Sequence, residues 1–81
     1  MAMHLTIISP TEQLTYKIAW LEINTPVGNF VILPDHAPTV VELSQNQPLT
    51  FGLKNGKQES LIIPRGIVEI SRNSALVLMH E

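Results

Sequence analysis

Three histidines and seven carboxylates supply the chain's groups for acid–base and metal chemistry, and there is no cysteine. Without cysteine, neither a disulfide nor a thiolate metal site is possible. His4, His36 and His80 have no i, i+2 or i, i+4 spacing of a local metal site. His4 and His80 lie near the termini and read as surface residues. Glu12, Glu22, Glu42, Glu59 and Glu69 stand singly, so nothing assembles a pair of acid catalysts. No GxxxxGK[ST] loop and no GxSxG elbow is present. Only Pro34-Asp35-His36-Ala37-Pro38 concentrates polar groups in a stiff frame. Its two prolines fix the backbone and remove two donors. Asp35 and His36 there either satisfy the turn through side-chain hydrogen bonds or stand out as polar contacts for a partner. Acid–base work would need a nucleophile or a second carboxylate close by, and the sequence places none. The expectation is no catalytic residue, no metal and no cofactor.

The elements that carry these groups are short apolar runs cut by turn residues, the pattern of an all-β sandwich or barrel. The runs are Met3 to Ser9, Gln13 to Asn24, Gly28 to Leu33, Thr39 to Leu43, Leu49 to Lys54, Lys57 to Ile63, Ile67 to Ser71 and Ala75 to Met79. They are rich in Ile, Val, Leu and Thr, which suit a pleated surface. Lys54-Asn55-Gly56-Lys57 reads as a type I′ hairpin turn, with positive φ at both central residues. Arg72-Asn73-Ser74 reads as a second hairpin. No stretch of ten to fifteen residues has a 3.6 period, and six prolines interrupt any long helix. Eight to ten strands in one domain, residues 1–81, are expected.

Alternation within strands assigns faces. Leu49, Phe51 and Leu53 share one face. Ala19, Leu21 and Ile23 share another, which leaves Ile18 and Trp20 on the opposite side. A β-bulge in this long run would turn Trp20 into the core instead. Leu76 and Leu78 oppose Ala75, Val77 and Met79. Several strands are therefore apolar on both faces, although a small sandwich has one interior. Charged residues are 15% of the 81-residue chain against 44% apolar, so much of the surface is neutral. That composition suits a surface covered by another protein. The net charge of −2, with scattered Lys and Arg, excludes a phosphate-tracking nucleic-acid face and polybasic membrane docking. No run approaches the ~18 apolar residues of a membrane span, and the N-terminus lacks signal-peptide features. The expectation is a soluble protein, or one peripheral to a membrane through other proteins.

Four blocks in register resemble one family. Gly28-Asn29-Phe30-Val31-Ile32-Leu33-Pro34-Asp35-His36-Ala37-Pro38 is similar to G-x-x-G-I-L-P-x-H-A-P. Arg65-Gly66-Ile67-Val68-Glu69-Ile70-Ser71, then Asn73 and Leu78, is similar to G-G-F-V-E-V-S-x-N-x-V-T-V-L. Leu5 to Thr11, and Leu43 followed by a polar turn and Pro48-Leu49, match in order. The pattern resembles the epsilon subunit of F-type ATP synthases of bacteria and chloroplasts, and the mitochondrial delta subunit. Val31 and Arg65 replace family glycines; a β-branched valine cannot comfortably take positive φ, so position 31 must hold ordinary strand backbone.

The resemblance implies a flattened ten-stranded sandwich of two five-stranded sheets. It implies a central-stalk subunit that links the gamma subunit to the c-ring and couples ion translocation to ATP synthesis. Such a subunit is non-catalytic and peripheral to the energy-transducing membrane on its cytoplasmic face, reaching the membrane only through the Fo sector. The resemblance implies c-ring contacts at Asn29, Asp35 and His36, and gamma contacts at Ser9, Trp20, Val41 and Val77. Family members continue into a helical hairpin that inhibits and in some members binds ATP; with the sequence ending at Glu81, no tail-mediated inhibition is expected. The competing reading is a free-standing β-sandwich binding or adaptor module outside the synthase, for which one Trp, one Tyr and two Phe make a poor aromatic stripe.

Overall fold

The computed structural model describes residues 2–80. Each apolar run becomes a strand, within two residues at either end of where the sequence puts it. The strands are β1 (Met3–Ile8), β2 (Gln13–Thr25), β3 (Gly28–Ile32), β4 (Thr39–Leu43), β5 (Gln47–Leu53), β6 (Gln58–Ile63), β7 (Arg65–Ser71) and β8 (Ser74–His80). The described residues contain no helix.

The strand tally corrects the ten-strand, two-sheet expectation. Eight strands form one continuous curled sheet in the order β4-β7-β8-β1-β2-β5-β6, with β3 added to β2. The long β2 explains the difference. Its first half pairs with β1, from Gln13 to Ile18. Its second half pairs with β3, from Leu21 to Thr25. Along one edge β2 therefore serves β1 and then β3, while β5 pairs with its other edge, and this turns the sheet over the core. The first and last strands, β1 and β8, lie parallel; every other pair is antiparallel.

Alternation sends one set of side chains inward from every strand. Met3, Leu5 and Ile7 enter from β1, Leu49 and Phe51 from β5, Val68 and Ile70 from β7, and Ala75 and Val77 from β8. Phe51 is fully buried, and its ring lies against Tyr16 with centroids 4.8 Å apart. Burying such a side chain contributes roughly 1.5–3 kcal/mol.

Two local expectations change. The pairing of β2 with β5 slips between Ile18 and Trp20, so a bulge is present. It turns Ile18 inward, where it is fully buried, and keeps Leu21 inward as well. Trp20 stays on the outer face, half-buried. The turn at Asn55-Gly56 is not type I′, because only Gly56 has positive φ, at 90°. The Gly56 N–H donates to the Leu53 carbonyl at 3.0 Å, and the Leu53 N–H to the Lys57 carbonyl at 2.7 Å. That is a type I turn followed by a left-handed glycine, the three-residue hairpin solution.

The replaced glycines behave as the sequence requires. Val31 and Arg65 lie in strands, and neither has positive φ. Gly66 is retained because β7 passes tightly over β8. A Cβ there would collide with the Leu78 carbonyl oxygen and lie 3.1 Å from Met79 Cα.

Candidate partner-contact surfaces

The outer faces of the sheet differ sharply in chemistry. On β4-β7-β8-β1, register places Ile67 opposite Leu78 and Leu78 opposite Ile8. The adjacent row runs from Val40 to Glu69 to Leu76 to Thr6. Val40 is 61% exposed and Ile67 42%, with Leu78 beside them. These side chains alternate with core residues, so they point away from the interior. The result is an apolar strip across four strands, with Glu69 set within it and Glu42 opposite Ile67 at its β4 side.

The outer face of β3-β2-β5-β6 carries more polar side chains, although Val31 and Ile62 are exposed on it. Asn29 Nδ2 donates to Glu22 Oε2 at 3.1 Å and to Asn24 Oδ1 at 3.0 Å. Asn24 Nδ2 donates to the Pro48 carbonyl at 3.1 Å, and Thr50 and Ser60 hydroxyls meet at 3.2 Å. A hydrogen-bonded ladder thus crosses all four strands. Trp20 lies at one end of it, over Gly52, its cross-strand partner. A Cβ at Gly52 would fall within the indole ring, so glycine is what lets the ring lie flat.

The residues singled out by sequence scatter. Asn29 sits at the start of β3, where its side chain is engaged in the ladder. Asp35 and His36 lie beyond the other end of β3. Asp35 occupies the left-handed region, with φ of 68°. It follows Pro34 in a turn of type II, whose third residue needs positive φ. Its carboxylate accepts from Arg72 Nη1 at 3.0 Å, and its N–H donates to the Arg72 carbonyl at 2.6 Å. Asp35 therefore ties its loop to the β7–β8 hairpin. His36 Nδ1 lies 2.7 Å from the Ala37 carbonyl, so it donates there when protonated at that nitrogen. The local reading of this turn, side chains satisfying the backbone, fits His36, whereas the Asp35 side chain bonds the Arg72 side chain instead.

The four gamma-contact candidates do not meet. Ser9 caps the β1–β2 turn: its Oγ accepts from the Glu12 N–H at 3.1 Å and donates to the Glu12 carbonyl at 3.2 Å. Trp20 is on the polar face. Val41 points inward, half-buried, into a cleft between β3 and β4. Val77 is corrected outright: it is 0% exposed and packs the core, so it cannot touch a partner. The outward residues of β8 are Leu76 and Leu78, the opposite alternation. Sequence reasoning named both alternations of this strand and placed the contact on the inward one. It missed Ile67 and Val40 because their exposure depends on which neighbours β7 and β4 acquire.

The histidines do not converge. His4 is opposite Ser74 and His80 is opposite Arg65, at different ends of β8. Among the described residues no group of three His, Cys, Asp or Glu could hold a metal ion. No helix there is long and apolar enough to cross a membrane.

Comparison with known proteins bears on this arrangement. The family model described as ATP synthase, Delta/Epsilon chain, beta-sandwich domain matches residues 2–81. A chain in the mitochondrial ATP synthase structure of Euglena gracilis, an OSCP/F1/c-ring assembly, superposes with a TM-score of 0.88 at 21% identity. That match covers 96% of this chain and 50% of the other. A chain in the central stalk/c-ring structure of the Tetrahymena thermophila mitochondrial ATP synthase superposes with a TM-score of 0.79 at 16% identity. It covers 100% of this chain and 65% of that one. At such identities these likenesses establish the fold, and the chain spans half to under two thirds of those relatives' length. No curated protein sequence matches.

Proposed function

The chain belongs to the β-sandwich domain family of the ATP synthase delta/epsilon chain, and on that premise we propose that it is a rotor component of an F-type ATP synthase. In this reading it sits in the central stalk between the gamma subunit and the c-ring. It carries no reaction and transmits rotation between ion translocation and ATP synthesis. It is attached to the energy-transducing membrane, on the cytoplasmic face, through the Fo sector.

The apolar strip of Val40, Ile67, Leu76, Leu78 and Ile8 is the observation that carries this reading. Leaving such side chains in water forgoes about 25 cal/mol for each Å² of apolar area that a partner would cover. The strip is broad and flat, as sheet faces are, which suits a lasting protein contact rather than a small ligand. We assign the gamma contact to it, with Ser9 outside its centre, Val41 beneath its edge and Trp20 left out of it on the other face.

The c-ring contact keeps Asn29, Asp35 and His36, with a changed geometry. They mark the two ends of β3 rather than one loop, and Asp35 acts partly by holding His36 in place through Arg72. Charge at His36 should weaken attachment of the catalytic head, so coupled pumping that survives His36→Glu unchanged removes His36 from the contact. Tail-mediated inhibition is not a property of residues 1–81 in this reading. Purified chain that suppresses ATP hydrolysis would contradict that.

The test is affinity purification of the chain from native membranes, read by mass spectrometry. Gamma and c subunits should dominate the recovered proteins. Recovery of the chain free of every synthase subunit would overturn the assignment and favour a free-standing adaptor.

A further inference from the structure

β3, β4 and β6 each pair with a single neighbour, so each leaves one edge open. An open edge presents unpaired N–H and C=O groups and invites another strand, which proteins usually discourage with charge or proline. β4 carries Glu42, and β6 carries Glu59 directly after Lys57 and Gln58. β3, with the sequence Gly28-Asn29-Phe30-Val31-Ile32, carries neither charge nor proline. Phe30 has the inward alternation of Ile32 yet is 45% exposed, because nothing lies beyond it. On the other face Val31 is 54% exposed.

We infer that the β3 edge receives an extended peptide strand from a partner protein, apolar at alternate positions and carrying Lys or Arg. The backbone selects the extended form. A helix has satisfied its own N–H and C=O groups and has none to give an edge, whereas a strand matches it residue for residue. The side chains have somewhere to go. A cleft of about 220 Å³ lies between β3 and β4, lined by Ile23, Phe30, Ile32, Val41 and Ile70 together with the polar His36 and Thr39. Alternate residues of an added strand would enter it beside Phe30 and complete the cover of the core.

Charge favours a basic strand. Glu22 is directly opposite Val31 on the outer face, and Glu42 lines the groove that continues the cleft past Phe30. Arg72, beyond the far end of β3, is engaged by Asp35. The site also has defined ends. The Asp35 turn, whose N–H bonds the Arg72 carbonyl, closes the end that follows Ile32, and the hairpin turn between Thr25 and Gly28 closes the other. Five residues of β3 give an edge about 16 Å long, enough for a peptide of about five to seven residues. This site meets the apolar strip only at Val40, which lines the groove past Phe30, and it does not depend on the rotor reading.

The test uses the whole chain, isotope-labelled, with a blocked seven-residue peptide of alternating valine and lysine. At a free peptide concentration ten times Kd, exchange of the Asn29 and Val31 amides, which face the open edge, should slow about tenfold. The amides of Gln58 to Ile62 on the β6 edge should not change. Replacing the lysines of the peptide with glutamate should weaken binding. Val31→Lys, a change at a side chain already half in water, should abolish binding and leave the core resonances in place. Unaltered exchange along β3, equal slowing at β6, or binding indifferent to Val31→Lys would each overturn the inference. Loss of the rotor assignment by affinity purification would leave this result untouched, and the reverse also holds.

Discussion

The outer faces of β4-β7-β8-β1 and β3-β2-β5-β6 rest on one core yet are built to opposite rules. The first leaves Val40, Ile67 and Leu78 in water with no polar ladder beneath them. The second spends Asn29, Asn24, Thr50 and Ser60 on hydrogen bonds to one another and shields Gly52 with Trp20. A face that satisfies its own polar groups has no need of a partner, whereas one that exposes branched apolar side chains gains from being covered. In the proposed reading docking falls to the first face and solvation to the second, where Val31 and Ile62 are the apolar exceptions.

The largest effect should come from the floor both faces share. Phe51→Ala removes a fully buried ring that packs at a tilt against Tyr16 and should cost about 3–5 kcal/mol, a large part of what a domain this small has. Urea denaturation would show a lower midpoint with an unchanged slope. If partner binding fell while stability did not, Phe51 would belong to a surface rather than to the core.

Next in size is a change confined to the apolar face. Leu78→Glu should weaken assembly with the stalk by about 2 kcal/mol or more, roughly thirtyfold, as expected for a residue at the centre of an interface. Thr50→Glu on the polar face should leave assembly unchanged. Titration of each variant against stalk-depleted synthase measures both, and equal losses would erase the distinction between the faces.

Gly52→Ala probes the polar face itself. The added methyl meets the Trp20 ring, and relieving that crowding should cost about 1–3 kcal/mol. The Trp20 emission should shift to the red as the ring lifts into water. Trp20→Ala should remove the penalty when combined with Gly52→Ala. A penalty that persists would mean that the crowding comes from elsewhere.

The smallest effect is expected at the Asp35–Arg72 tie. The pair is exposed, and such pairs contribute about 0–1 kcal/mol. Arg72→Ala should change the denaturation midpoint little but speed amide exchange at Asp35. Unchanged exchange there would remove Arg72 from the anchoring of this loop.

Much of this fold was legible because local rules agreed with one another. Turn residues bound every strand, and Leu49, Phe51 and Leu53 fall on the inner face as their alternation predicts. Where legibility failed, the deciding information was not local. Whether Ile18 or Ala19 faces inward depends on one extra residue in the pairing of β2 with β5, which alternation within β2 cannot reveal. In β8 both alternations are apolar, so the choice of Val77 or Leu78 as the inner residue is made by β1 and β7. The Asn55-Gly56 turn was located correctly and typed wrongly, since the same dipeptide serves two hairpin geometries. Among contact residues, the sequence identified the stiff loop at Asp35 and His36. It did not show that Arg72, 37 residues further on, would hold it.

Docking through the apolar face is tested most directly by placing a photo-reactive benzophenone at Leu78 and, separately, at Ser60, and irradiating assembled synthase. The account predicts a cross-link to the gamma subunit from position 78 and none from position 60. Labelling of gamma from position 60, with position 78 silent, would contradict it.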